Sequence, residues 1–177
     1  MKPRQQGVSL FLAKYERENL WKRMKHMTDY KTLADQAKEM LEAEPWYASS
    51  LSNISALIMA MLPRLNWAGF YLMREGQLTV GPFQGLPACI HIAPGKGVCG
   101  TAAAKDETTV VPDVHLFPGH IACDGASESE IVIPIHGDGE VKAVLDIDSP
   151  VKDRFSPEDR EGLEQLVKVI EEKVSWI

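Results

Sequence analysis

Apolar positions recur along the chain in two distinct rhythms, and they change from one to the other near residue 66. From Tyr30 to about Ala43, Leu33, Ala37, Met40 and Leu41 fall at spacings of four, three and one, which predicts an amphipathic helix. From about Ala48 to Leu62, Leu51, Ile54, Ser55, Ile58 and Leu62 form a second helical stripe, closed by Pro63. Beyond that point the period becomes two. "NWAGFYLM" (66–73) predicts a strand with Trp67, Gly69 and Tyr71 on one face and Ala68, Phe70 and Leu72 on the other. A turn at "REG" (74–76) leads into a second strand, "QLTVGPF".

The middle of the chain is more broken. "ACIHIA" (88–93) predicts a strand, and the Gly-rich "PGKGVCG" a turn into a short Ala-rich helix around Thr101–Lys105. "TTVVPDV" predicts a short strand ended by Pro112. From Asp113 to Ser129 neither period persists, so a long surface loop is expected, the usual place for functional groups.

"EIVIPIHGDGEVKAVLDIDS" then predicts a hairpin about "GDG" (137–139). In its second strand Ala143, Leu145 and Ile147 share one face, and Val144, Asp146 and Asp148 the other. The final helix opens at "SPED" with Ser156 as N-cap and Pro157 at N1. Its buried stripe is Leu163, Leu166, Val167, Ile170 and Val174. The order lacks regular βαβ alternation, so the fold class is α+β with a central, mostly antiparallel sheet. The early helices and the last one are expected to cover one face, leaving the other for a pocket.

Composition changes this picture little. A chain of 177 residues that is 45% hydrophobic and 25% charged suits one domain. No apolar run approaches the 18–20 or so residues of a membrane span, and the start does not read as a signal peptide. Charge is uneven. Residues 1–26 hold seven basic against two acidic side chains, and the rest holds twelve against twenty-three. We therefore expect a basic extension at 1–26, a domain at 27–177, and no nucleic-acid or membrane partner for the acidic body. Cys89, Cys99 and Cys123 are too few and too widely spaced for a disulfide framework or a zinc motif, which places the protein in a reducing cytoplasm.

Candidate chemistry concentrates on one sheet face. Asp146 and Asp148 point the same way, and Glu130 opens the neighbouring strand, so three acids converge. Carboxylates in a partly dry site cannot all ionise easily, and one stays protonated. Trp67 and Tyr71 share a face about 13 Å apart along their strand, at roughly 3.3 Å per residue. Cys99 is placed near a helix N-terminus, where the dipole favours thiolate, and Cys123 in the long loop. "PGKGVCG" does not match a P-loop, and His91, His115 and His120 lack metal spacing. These residues describe a thiol site beside an acidic pocket without saying which thiol attacks.

"NWAGFYL", "GPFQG", "GKGVCGTA", "DVH", "GHIACD", "SESEIVIPI" and "VLDIDS" together resemble the free methionine-(R)-sulfoxide reductases, which use a GAF-type domain. The resemblance runs from about Met27 to Val174. It implies a reductase of free L-methionine-(R)-S-oxide without a bound cofactor or metal. Cys123 would be the nucleophile, Cys89 the resolving cysteine that forms a disulfide with it, and Cys99 an auxiliary thiol. Glu130, Asp146 and Asp148 would bind the substrate and polarise its S=O group, with Trp67 and Tyr71 lining the pocket. It further implies thioredoxin as external reductant and a homodimer. Two other readings fit the residues: a GAF-type sensor of a small molecule or redox state, and a cysteine hydrolase pairing Cys123 with His120 or His115.

Overall fold

Period-two residues of the middle region build one six-stranded sheet, and the period-3.6 residues build helices that cover it. The computed structural model describes residues 28–176 apart from Ala122, so the basic extension expected at 1–26 lies outside the described residues. Helices α1 (Tyr30–Ala43) and α2 (Tyr47–Met61) come first, followed by the hairpin β1 (Trp67–Arg74) and β2 (Gln77–Gln84). Next are β3 (His91–Ile92), α3 (Gly97–Lys105), β4 (Thr109–Val111), β5 (Ser129–Gly137), β6 (Glu140–Ser149) and α4 (Pro157–Lys173). The sheet order is β3-β2-β1-β6-β5-β4, and its strand pairs are antiparallel.

Alternation assigns each strand residue to one of two cores, as expected. Ala68 and Phe70 of β1, Ile131, Ile133 and Ile135 of β5, and Ala143, Leu145 and Ile147 of β6 face the long helices. There they meet Leu33 and Leu41 of α1, Leu51 and Ile58 of α2, and Leu163 and Ile170 of α4. The opposite face carries Trp67, Tyr71, Val132 and Val144, and among the described residues α3 is the α-helix that packs on it, through Val98, Cys99 and Ala102. One sheet face is thus sealed by three helices and the other is partly open.

Local signals hold the frame in register. Ser156 accepts from the Asp159 N–H, and the Asp159 carboxylate accepts from the Ser156 N–H, a reciprocal cap at the start of α4. Asp159 also pairs with buried Arg154 at 2.9 Å and accepts from the Tyr30 hydroxyl, which ties α1 to α4. The Tyr30 ring lies directly over Gly162, where no side chain would fit.

Five expectations need correction. The second hairpin turns on two residues, not three: Gly137 still pairs with Glu140, and Asp138 (φ 55°) and Gly139 (φ 79°) take the left-handed geometry that matches strand twist. The first hairpin likewise turns on Glu75-Gly76, with Arg74 paired to Gln77. The strand expected over 88–93 is reduced to His91–Ile92, because the chain before it folds back over Trp67, whose indole N–H donates to the Leu86 carbonyl at 3.1 Å. Helix α3 begins at Gly97 rather than near Thr101, so Cys99 lies within its first turn. The loop from Asp113 contains one 3₁₀ turn, Val114–Leu116, capped by the Asp113 carboxylate, and ends where Ser129 enters β5.

Candidate active site

The open face of the sheet places its acids by register. Asp148 of β6 stands opposite Trp67 on one side and Glu130 on the other, and Asp146 stands opposite Gly69 and Val132. Glu130 and Asp146 are each only 6% exposed, and the pocket they floor is lined by no lysine or arginine among the described residues. Above them lie Cys99 from α3, His120 and Ile121 from the loop, and Cys123.

Burial without a counter-ion governs the protonation of this cluster. Desolvation, followed by the charges of Asp146 and Asp148, raises Glu130 well above the usual carboxylate range. Asp148 is raised by desolvation and then by Asp146. Burial pushes Asp146 up to about 6, although hydrogen bonds with Cys99 and Glu130 pull it back. The site therefore holds carboxylic acid protons near neutral pH, next to groups that can accept them.

Cys99 departs from its expected character. Its Sγ lies 3.8 Å from Glu130 Oε1, as donor, and the residue is 4% exposed. Burial, then the Asp146 and Glu130 charges, raise its thiol well above normal. The helix dipole contributes at most about 1 kcal/mol in favour of the thiolate and is outweighed. The sequence places Cys99 correctly at a helix start but misjudges its ionisation.

Trp67 and Tyr71 also differ from their expected separation of about 13 Å. Their rings stack with centroids 5.9 Å apart, so ring separation is not set by the spacing of their Cα atoms along the strand. Phe83 stacks on the other side of Trp67 at 5.2 Å. Gly69 and Gly85 make this possible: a Cβ on either would strike the indole, and Gly85 has φ +137° besides.

Cys89 and Cys123, 34 residues apart, are joined by a disulfide with Cα atoms 5.5 Å apart, an ordinary span for such a bond. Its Cys123 end lines the acidic pocket. On one side is a cavity lined by Cys99, Glu130 and His120, with about 30 Å³ free, enough for one or two waters. On the other is a smaller hollow against Trp67, Leu86 and Pro87. Tyr71, Cys123, Asp124, Asp146 and Asp148 line both, so they are two halves of one site.

Two contributors, Asn66 and Ser127, escape the sequence reading, and His120, weighed there as a partner for Cys123, takes a different place. Asn66 donates from Nδ2 to Asp124 at 2.8 Å and to Ser127 Oγ at 3.0 Å, and its backbone N–H donates to the Asp148 carbonyl, so it fastens the Cys123 loop to the sheet. Ser127 hydrogen-bonds Asp148. His120 reaches Glu130 Oε2 at 3.8 Å, and burial lowers its pKa, keeping it neutral. An asparagine before a strand or a histidine in a loop carries no signal that separates these roles from solvation.

With Cys123 held in the disulfide, the histidines turn to other partners. His115 binds Asp113 on the surface, His120 faces Glu130, and no hydrogen bond joins Cys123 to a histidine among the described residues. Nor do His91, His115 and His120 converge, since His91 contacts Thr79 at the sheet edge.

Comparison with known proteins fits this geometry. The model of the GAF domain family matches residues 30–173. The chain is 51% identical over 149 residues to Protein YtsP of Bacillus subtilis, covering 83% of this chain and 91% of that one. It is 49% identical over 132 residues to the free methionine-R-sulfoxide reductase of Escherichia coli, covering 75% and 80% respectively. The solved structure of fRMsr of Staphylococcus aureus in complex with substrate superposes with a TM-score of 0.80 at 51% identity, covering 84% of this chain and 97% of that one.

Proposed function

The chain belongs to the free methionine-R-sulfoxide reductases, a family built on the GAF domain, and from that premise we propose that it reduces free L-methionine-(R)-S-oxide by a dithiol–disulfide cycle. The observation that carries the reading is the Cys89–Cys123 bond, whose Cys123 end lines a pocket floored by Glu130, Asp146 and Asp148. A redox-active pair and a store of acid protons meet at one point, and sulfoxide reduction needs both.

The chemistry follows from that meeting. A sulfoxide sulfur is a poor electrophile until its oxygen takes a proton or a strong hydrogen bond. Glu130 and Asp148, held protonated by burial, supply it, and the pocket acids also meet the substrate ammonium. The Cys123 thiolate attacks sulfur, the S–O bond breaks, and oxygen leaves as the hydroxyl of Cys123 sulfenic acid while methionine is released. The Cys89 thiol then displaces that hydroxyl as water and closes the disulfide before over-oxidation. In sum one sulfoxide and two thiols give methionine, one disulfide and one water. Cys99, protonated and touching Glu130, serves as an auxiliary thiol and proton neighbour. The hollow against Trp67 suits the S-methyl group.

Recycling is assigned to thioredoxin. Cys89 and Cys123 are half-buried, and Leu86, Ile90 and Ile121 beside them in the chain are exposed, an apolar rim of the sort a reducing protein can rest on. The potential of thioredoxin, about −270 mV, suffices for a labile catalytic disulfide. The 30 Å³ left in the oxidised pocket is too small for an amino acid, so reduction precedes substrate entry. The working unit is taken as a homodimer, which sedimentation measures.

The test couples the protein to thioredoxin, its reductase and NADPH, and offers free R-sulfoxide, free S-sulfoxide and a sulfoxide-containing peptide. NADPH consumption with the free R form alone is expected. Turnover of the peptide, or none with the free R form, overturns the reading.

A further inference from the structure

Cys99 stays outside the disulfide and is packed among the pocket acids. Cys99 Sγ, Glu130 and Asp146 each offer a donor atom, and these atoms lie within 4.8 Å of one another in the buried floor of the pocket. Asp146 is 6% exposed, yet its Oδ1 accepts no hydrogen bond. A buried, unpartnered carboxylate oxygen beside a thiol and a second acid, with no lysine or arginine lining the pocket, is a cluster that lacks a cation.

We propose that Cys99, Glu130 and Asp146 form a site for a thiophilic divalent cation of the zinc class. Tetrahedral zinc with bonds of about 2.3 Å to sulfur and about 2.0 Å to oxygen sets those atoms about 3.5 Å apart. The Sγ–Oε1 distance here is 3.8 Å and the remaining donor pairs lie within 4.8 Å, so shifts of about 1 Å or less close the site. Three protein donors leave a fourth position to water, for which the 30 Å³ cavity has room. Binding displaces the Cys99 proton and the carboxyl protons to solvent, so affinity rises with pH. The ligands are also the proposed floor of the substrate site, so metal and substrate exclude one another, and a chelator restores the reductase.

The surface trio Asp113, His115 and Glu128 is the natural control. Its donor atoms are equally close, but Lys152 already sits 2.7 Å from Asp113 and 3.8 Å from Glu128. A resident ammonium leaves no deficit there for a cation to fill.

The experiment uses the full chain with Cys89→Ser and Cys123→Ser, so that Cys99 is its sole thiol, and reads binding without turnover. Titration with Cd²⁺ should develop the ultraviolet cadmium–thiolate band to one metal per chain, and a further Cys99→Ser change should abolish it. By equilibrium dialysis, Asp146→Asn should weaken Zn²⁺ binding at least about tenfold, while Asp113→Asn should leave it unchanged. No band at saturating cadmium, or zinc binding indifferent to both Cys99→Ser and Asp146→Asn, overturns the proposal. The reductase reading stands or falls separately, because the coupled assay needs no metal.

Discussion

Glu130 of β5 and Asp148 of β6 stand directly opposite one another on the pocket face of the sheet. Like charges in that position destabilise a strand pair, and here no lysine or arginine among the described residues lines the pocket to separate them. Burial and the neighbouring charge favour their protonated forms, and so register itself makes the site acidic in the chemical sense. The consequences can be measured.

Stability should depend on pH through these acids. Unfolded, they ionise near 4, whereas in the fold Asp146 is raised to about 6 and Glu130 and Asp148 are raised further from their usual values. The native state therefore binds more protons than the unfolded chain over this range. Their contribution is full below pH 4 and is lost as pH rises through 6 and beyond. Asp146→Asn removes one such group, so its melting temperature relative to the parent should rise by at least about 2 °C between pH 5 and pH 8. Calorimetry at several pH values checks this, and an opposite trend would mean that the acids are compensated.

The cysteines should divide by step. Cys123→Ser should yield no methionine in a single turnover. Cys89→Ser should yield one equivalent and then stall with thioredoxin, leaving a sulfenic acid that a dimedone-type probe traps and mass spectrometry detects. Methionine formation by Cys123→Ser would reassign the nucleophile.

Trp67 should couple the resolving loop to the sheet. Its indole stacks on Tyr71 and Phe83 and donates to the Leu86 carbonyl three residues before Cys89. Trp67→Phe leaves that carbonyl without its donor and shortens the ring, at a cost of about 1–3 kcal/mol in urea unfolding. Disulfide closure, followed by quenched mass spectrometry, should slow more than sulfoxide attack.

Arg154 should matter for folding and not for chemistry. It is 7% exposed, pairs with Asp159 at 2.9 Å and donates to the Pro63 carbonyl at 3.0 Å, on the helix-covered side of the molecule. Arg154→Met strands a buried carboxylate and should cost about 3–5 kcal/mol in urea. Single-turnover methionine yield should be unchanged, which separates this site from the pocket.

Much of this architecture was legible before any coordinates. The strict period of two put Ala143, Leu145 and Ile147 into the helical core and turned Asp146 and Asp148 to the other side. The same rule gave β1 an aromatic face, and "SPED" announced the reciprocal cap of α4. These signals are local: backbone geometry decides which side a residue faces, whatever lies there. Each hairpin turn was off by one residue, because Arg74 and Gly137 still pair across their ladders.

Other features belong to the tertiary structure alone. That Cys89 meets Cys123 across 34 residues was implied by family resemblance and by nothing in the spacing. That Cys99 is held as a thiol, against its helix dipole, follows from summed desolvation and two carboxylates on other strands. Asn66, Ser127 and His120 join the site only because a loop returns to the sheet edge. The sequence by itself determined the faces, since alternation is a property of the chain; ionisation and distance are sums over neighbours, and only the closed fold decides who the neighbours are.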